Sequence, residues 1–172
     1  MTDDIKKELN EDLLDGTESY PIMPLRNTVL FPQQVIPIYI GRDKSLKLIN
    51  ELPSNSKHIV VVAQEDGSIE DPEPDEMYSF GTLAVVLKVF DMPDNSKSAI
   101  VQGISRVKIT KYIQSDPYFT VSINLLEDEQ LTDPLEVDAL ITNLRQSFEE
   151  LMKVAPNLTE EHSGMLKNIQ KP

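Results

Sequence analysis

The 172-residue chain contains no cysteine and no tryptophan. The first absence removes disulfide staples and thiolate metal sites and suits a reducing compartment; the second excludes an interface anchored on an indole ring. Glycine is scarce, six in all and widely scattered. No cradle of the G-x-x-x-x-G-K-[ST] type therefore exists to close backbone N–H groups around a phosphate. Basic residues are outnumbered too: 16 Lys and Arg face 29 Asp and Glu, giving a formal charge of −13. Such a chain is repelled by phosphate backbones and anionic headgroups, which argues against nucleic acid and membrane surfaces as partners. No apolar run approaches the roughly 20 residues of a spanning helix, and the first residues carry mixed charge without an apolar leader. The expectation is a soluble, unsecreted protein.

What remains is a β-rich middle followed by a helical end, in a length that accommodates one domain or a β domain with a helical piece attached. Residues 1–19 are acidic with a weak apolar stripe and read as a disordered arm. Pro24, Pro32 and Pro37 interrupt a stretch rich in Val, Ile, Leu, Tyr and Phe. Because proline cannot donate to a sheet ladder, they mark edge strands, strand starts or bulges. Residues 42–52 read as a helix, with Leu46, Ile49 and Leu52 inward and Asp43, Lys44, Lys47 and Asn50 outward. Pro53 and Ser54-Asn55 end it. His58 to Ala63 is a continuous β-branched run, which fits a central strand buried on both faces.

Residues 80–90 form another strand, and Asp91 to Ser96 has the composition of a hairpin turn. Between Ser98 and Ile113 the alternation slips phase near Gly103, predicting a bulge. Tyr118 to Leu125 alternates cleanly, with Phe119, Val121, Ile123 and Leu125 on one face. At Asp133-Pro134 the period changes to helical, with Asp133 as cap, Pro134 in the first turn and Glu136 at the capping-box position. Val137, Leu140, Ile141, Leu144, Phe148, Leu151 and Met152 follow as an apolar stripe. Pro156 stops this helix and another is expected near Thr159. The β-rich domain is thus expected over 20–127 and the helical segment over 132–172, where an uncovered stripe makes the chain look cut from something longer.

Searching for chemistry gives little. Ser45 with Lys47, Ser56 with Lys57 and Ser96 with Lys97 lie on a polar helix face or in turns, where solvent keeps lysine protonated and useless as a base. Gly103-Ile-Ser105 falls short of a nucleophile elbow, since Val107 stands where the second glycine belongs. His58 and His162 lack the H-E-x-x-H spacing of a zinc site. The acidic cluster from Glu65 to Glu76, and Glu127 to Glu129 after it, read as solvated loops rather than metal sites, because the spacing misses the calcium-loop pattern and Pro72 and Pro74 keep the first extended. No catalytic, cofactor-binding or metal residue emerges.

Two ordered blocks carry a family resemblance. Pro21-x-x-Pro24-Leu25-Arg26, Phe31-Pro32 and Ile36-Pro37-Ile-Tyr-Ile-Gly41-Arg42 form the first; Phe80-Gly81-Thr-Leu-Ala84 with Val101-Gln-Gly103-Ile-Ser-Arg106-Val-Lys-Ile109 forms the second. Together they resemble the N-terminal domain of Lon, the ATP-dependent protease, from about Tyr20 onward. The resemblance implies an α+β architecture: a PUA-like, mostly antiparallel sheet or pseudo-barrel with one helix, followed by a long helix and the start of a helical bundle. It implies a non-catalytic module that engages unfolded or tagged protein substrates and aids assembly of a cytoplasmic homohexamer. ATP, magnesium and the Ser-Lys dyad of the serine protease are expected only in modules absent from this stretch. A free-standing binding adaptor or small-molecule-binding module is the alternative. Asp94-Asn95 replaces the family's Asp-Gly hairpin, and Gln102 stands where an acid is common. Pro24, Arg26, Phe31, Pro32, Pro37, Gly41, Arg42, Gly81, Gly103 and Arg106 read as architectural, and the exposed helix face of Asp43, Lys44 and Lys47 as the candidate contact for substrate or partner.

Overall fold

Period-two apolar patterning places six strands and period-3.6 patterning two helices in a computed structural model, which describes residues 19–53, 57–126 and 134–155. The arm expected over 1–19 (Ser19 apart), the Ser54-Asn55 turn, the Glu127 to Glu129 cluster, the Asp133 cap and the helix near Thr159 with His162 lie outside the described residues. The order is β1 (Tyr20–Leu25), β2 (Val35–Ile40), α1 (Asp43–Glu51), β3 (His58–Gln64), a 3₁₀ turn (Pro74–Glu76), β4 (Met77–Asp91), β5 (Lys97–Gln114), β6 (Thr120–Leu125) and α2 (Pro134–Val154). The fold is α+β. Met1–Glu127 and Asp128–Pro172 form separate compact units.

In the first unit the strands run β2-β5-β4-β3-β1-β6, and a further β5–β6 pairing closes β1, β3, β4, β5 and β6 into a ring. All neighbours are antiparallel except β1 and β3. Closure leaves two apolar cores. One gathers Ile22, Val60, Val62, Leu83, Val107 and Val121; the other gathers Met23, Leu25, Ile59, Val61, Ala84 and Val101 with Ile38 and Ile40 of β2 and Leu48 and Ile49 of α1. The consecutive residues Ile59 to Val62 alternate between the two cores, so β3 is buried on both faces and needs no polar alternation.

The prolines fall where a missing N–H does least harm. Pro37 lies on β2, which has only β5 as neighbour, and Pro24 lies where β1 pairs with β3 alone. The phase slip in β5 is a bulge: Leu83 pairs with Ser105 and Ala84 with Gly103, leaving Ile104 as the extra residue. Asn95 turns the β4–β5 hairpin with φ 64°, a left-handed conformation that asparagine tolerates.

The face of α1 needs correcting. Ser45, Leu48 and Ile49 are its buried residues, whereas Leu46 and Leu52 are only half-buried. Lys44 is four residues before Leu48 and therefore on the same stripe, so it is half-buried rather than outward. Asp43, Lys47 and Asn50 are exposed, as expected.

Candidate functional site

Two clefts open on the first unit. The first, of about 530 Å³, runs between β1 and β2 and is lined by Met23 to Arg26 on one side and Ile36 to Arg42 on the other. Each of these strands has one edge without a strand neighbour here. Pro24 and Pro37 remove donors from the two rims, which blunts further strand pairing.

Arg42 immediately precedes α1 and is half-buried. Its guanidinium donates to the carbonyl of Pro24 at 3.5 Å and to Oε1 of buried Gln64. Gln64 in turn donates to the Ile69 carbonyl at 3.0 Å, and Arg26 donates to that same oxygen at 3.1 Å. Gln64 thus links the two arginines, accepting from Arg42 and sharing the Ile69 carbonyl with Arg26. Burial, and next the charge of Arg26, push the Arg42 pKa below its usual value, while Asp71 and Glu70 oppose the shift.

The acidic loop keeps its carboxylates largely in solvent, as expected, and specific contacts hold it in place. Pro72 is among the most deeply buried side chains. Glu73 and Glu76 cap each other across the 3₁₀ turn, with Glu73 N–H donating to the Glu76 carboxylate at 2.8 Å. Asp71 pairs with Lys44 at 2.8 Å, and the same ammonium lies 4.8 Å from the centre of the Phe119 ring. Among the described residues no three His, Asp or Glu side chains gather as a metal site.

The second cleft is an apolar groove of about 550 Å³ between the Val29 to Phe31 loop and the outer face of β3, β4 and β5. It continues the sheet face that carries Val61, beyond the point where α1 and β2 cover it. Val29, Phe31, Tyr78 and Phe80 are all more than half exposed, at 54, 56, 51 and 56%. Arg106 lines the groove, and Lys108 lies 5.8 Å from the centre of the Phe80 ring. Four large apolar side chains left in water beside cationic groups make an exposed apolar patch, which is uncommon on a folded domain.

Fold and site place the residues singled out in the sequence in distinct groups. Pro24, Arg26, Pro37, Gly41 and Arg42 line the first cleft, while Phe31, Gly81 and Arg106 line the second. Pro32 and Gly103 sit together behind the Phe31 loop. Asp43 and Lys47 are exposed on α1 outside both linings, and Lys44 is held by Asp71 and Phe119. Sequence reading passed over Tyr78 and Val29. Alternation hides Tyr78: with Phe80 it shares the parity of buried Thr82, Ala84 and Val86, so its exposure comes from the lack of cover over this end of the face.

The family profile described as "ATP-dependent protease La (LON) substrate-binding domain" matches residues 19–172. The Lon protease of Flavobacterium johnsoniae is 41% identical over 174 residues, covering 99% of this chain and 21% of that protein. The Lon protease of Koribacter versatilis is 36% identical over 165 residues, covering 96% of this chain and 20% of the relative. The chain therefore spans about a fifth of the curated relatives it matches. In fold it is similar to the N-terminal domain of Mycobacterium avium complex Lon protease, with a TM-score of 0.65 at 19% identity, covering 88% of this chain and 76% of that one. The Lon N-terminal domain protein of Xanthomonas campestris gives 0.55 at 15%, covering 88% and 90%.

Proposed function

Because this chain belongs to the substrate-binding domain family of ATP-dependent Lon proteases, we propose that it engages unfolded or tagged polypeptides for a protease whose ATPase and peptidase modules lie elsewhere. The observation that carries this reading is the groove of Val29, Phe31, Tyr78 and Phe80. Apolar side chains of an unfolded chain bury against these rings, and an aromatic surface held on rigid strands loses little conformational entropy on contact. ATP and magnesium belong to the ATPase module in this reading, and the setting is cytoplasmic.

Assembly of a homohexamer is part of the same proposal. Its support is α2, where Leu140, Leu144 and Leu151 lie exposed along one helix.

The test is binding of a reduced, alkylated and fluorescently labelled protein to the 172-residue chain. Phe31→Ser with Phe80→Ser should weaken binding about tenfold, as loss of two aromatic anchors does. The unfolding midpoint should stay nearly constant because both rings are exposed. Undiminished binding by the double variant would refute the groove as the contact surface.

A further inference from the structure

The cleft between β1 and β2 has a chemistry that the apolar groove lacks. In a chain of net charge −13 it brings two guanidinium groups, Arg26 and Arg42, to one lining that holds a single carboxylate, Glu70. Beside them lie Ile36 and Ile38, and the rims carry Pro24 and Pro37. The described bonds occupy one donor of Arg26 and two of Arg42, and a guanidinium carries five N–H groups. The anchoring of both arginines through Gln64 and Ile69 fixes the forks before any ligand arrives.

We propose that this cleft binds the C-terminal carboxylate of a polypeptide, with Arg26 and Arg42 on the carboxylate and half-buried Ile36 against an apolar last side chain. The proposal rests on the substrate-binding reading above and specifies one recognised feature. Charge complementarity selects a carboxylate in a protein otherwise hostile to anions. Proline on both rims disfavours a strand threading through with full ladder bonding, so an end-on occupant fits better than a continuous one. A chain terminus also supplies the carboxylate and an apolar side chain on the same residue, matching a lining that holds the arginines and Ile36. Burial first and the charge of Arg26 second lower the Arg42 pKa against the opposing pull of Asp71 and Glu70, and an anion between the arginines relieves the second cause.

The experiment uses an N-terminally labelled ten-residue peptide with Leu at its C-terminus, followed by fluorescence anisotropy on the 172-residue protein. The free acid should bind, and the C-terminal amide should bind about tenfold more weakly, as expected for loss of a charge-assisted pair. Arg26→Gln should erase the difference between acid and amide, and Arg26→Lys should restore part of it. Arg26 is exposed, so its variants test the site without unfolding the protein. Equal binding of acid and amide overturns the proposal, as does an unchanged preference in Arg26→Gln. An amidated peptide carrying an internal Asp that binds as well as the free acid also overturns the C-terminal assignment. Retention of an unfolded protein with a blocked C-terminus reports on the groove separately, so failure of this inference is distinguishable from failure of the substrate-binding reading.

Discussion

Gly103 lies directly beneath the backbone of Phe31. A Cβ added to Gly103 would stand 2.3 Å from the Phe31 carbonyl oxygen and 3.2 Å from Cα of Pro32. The contact is secured on both sides: Gln33 N–H donates to the Gly103 carbonyl at 2.9 Å, and Gly103 N–H donates to the Gln34 carbonyl at 2.9 Å. Two motifs about 70 residues apart in sequence are thus one structural joint. It holds the loop that forms one wall of the apolar groove.

Gly103→Ala should destabilise the protein by about 1–3 kcal/mol, because the obstacle is backbone and cannot rotate away. Gly41→Ala is the control. Its nearest neighbour is the ring of exposed Tyr39 at 3.1 Å, which can move, so its effect should stay within about 0.5 kcal/mol. Urea unfolding of both variants decides the matter, and equal losses would disprove the joint.

Lys44 and Lys47 should separate under mutation. Lys44→Ala loses the Asp71 pair and the Phe119 ring contact and should cost about 0.5–1 kcal/mol, measured by thermal unfolding. Lys47→Ala, on the exposed side, should leave the midpoint unchanged. Charge reversal at Asp43 and Lys47 then tests the contact face expected from the sequence: unchanged binding of an unfolded protein removes that face from the site.

Arg42 and Gln64 should behave as one unit. Arg42→Met leaves the buried Gln64 oxygen without its described donor, whereas Gln64→Leu removes the acceptor. A double-mutant cycle should give a coupling of about 1–2 kcal/mol. A coupling near zero would show that the bond contributes nothing to folding.

Asp94 gives the hairpin a pH dependence. Its pKa is lowered, chiefly by hydrogen bonds from the Ser96 side chain and backbone, with Tyr39 contributing through a 3.1 Å bond. A depressed folded-state value makes the stabilisation complete above about pH 4 and lost as pH falls through the lower folded value. Nuclear magnetic resonance of the Ser96 amide should report loss of this turn as pH falls below the ordinary carboxylate value of about 4. Asp94→Asn should flatten the change; an identical acid titration in the variant would exclude Asp94 as its source.

Much of the sheet was legible because each signal was local. His58 to Ala63 reads as doubly buried because apolar residues occupy both parities, and the structure sends Ile59 and Val60 to different cores. The slip beside Gly103 reads as a bulge because side-chain period is two, and Ile104 is the extra residue. The face of α1 was less legible. Leu46, Leu48 and Ile49 define overlapping stripes, and only packing against β2 and the central strands selects Leu48 over Leu46. The acidic cluster was legible in part, since Glu65, Asp66, Glu70, Asp71, Glu73 and Asp75 are exposed as expected. Charge alone predicts that solvation, but it does not show that buried Pro72 and the Glu73–Glu76 caps tie the loop down.

Residue type at short spacing was enough for the family, and through that resemblance for the α+β class, and for the strand-edge role of the prolines. Only the tertiary structure decided that Gln64 and the Ile69 carbonyl link Arg26 and Arg42, and that Phe31 meets Phe80 across a groove. Those neighbours are separated by tens of residues along the chain. Ring closure through the β5–β6 and β1–β6 pairings brings distant strands onto shared faces, a long-range relation that no local period encodes.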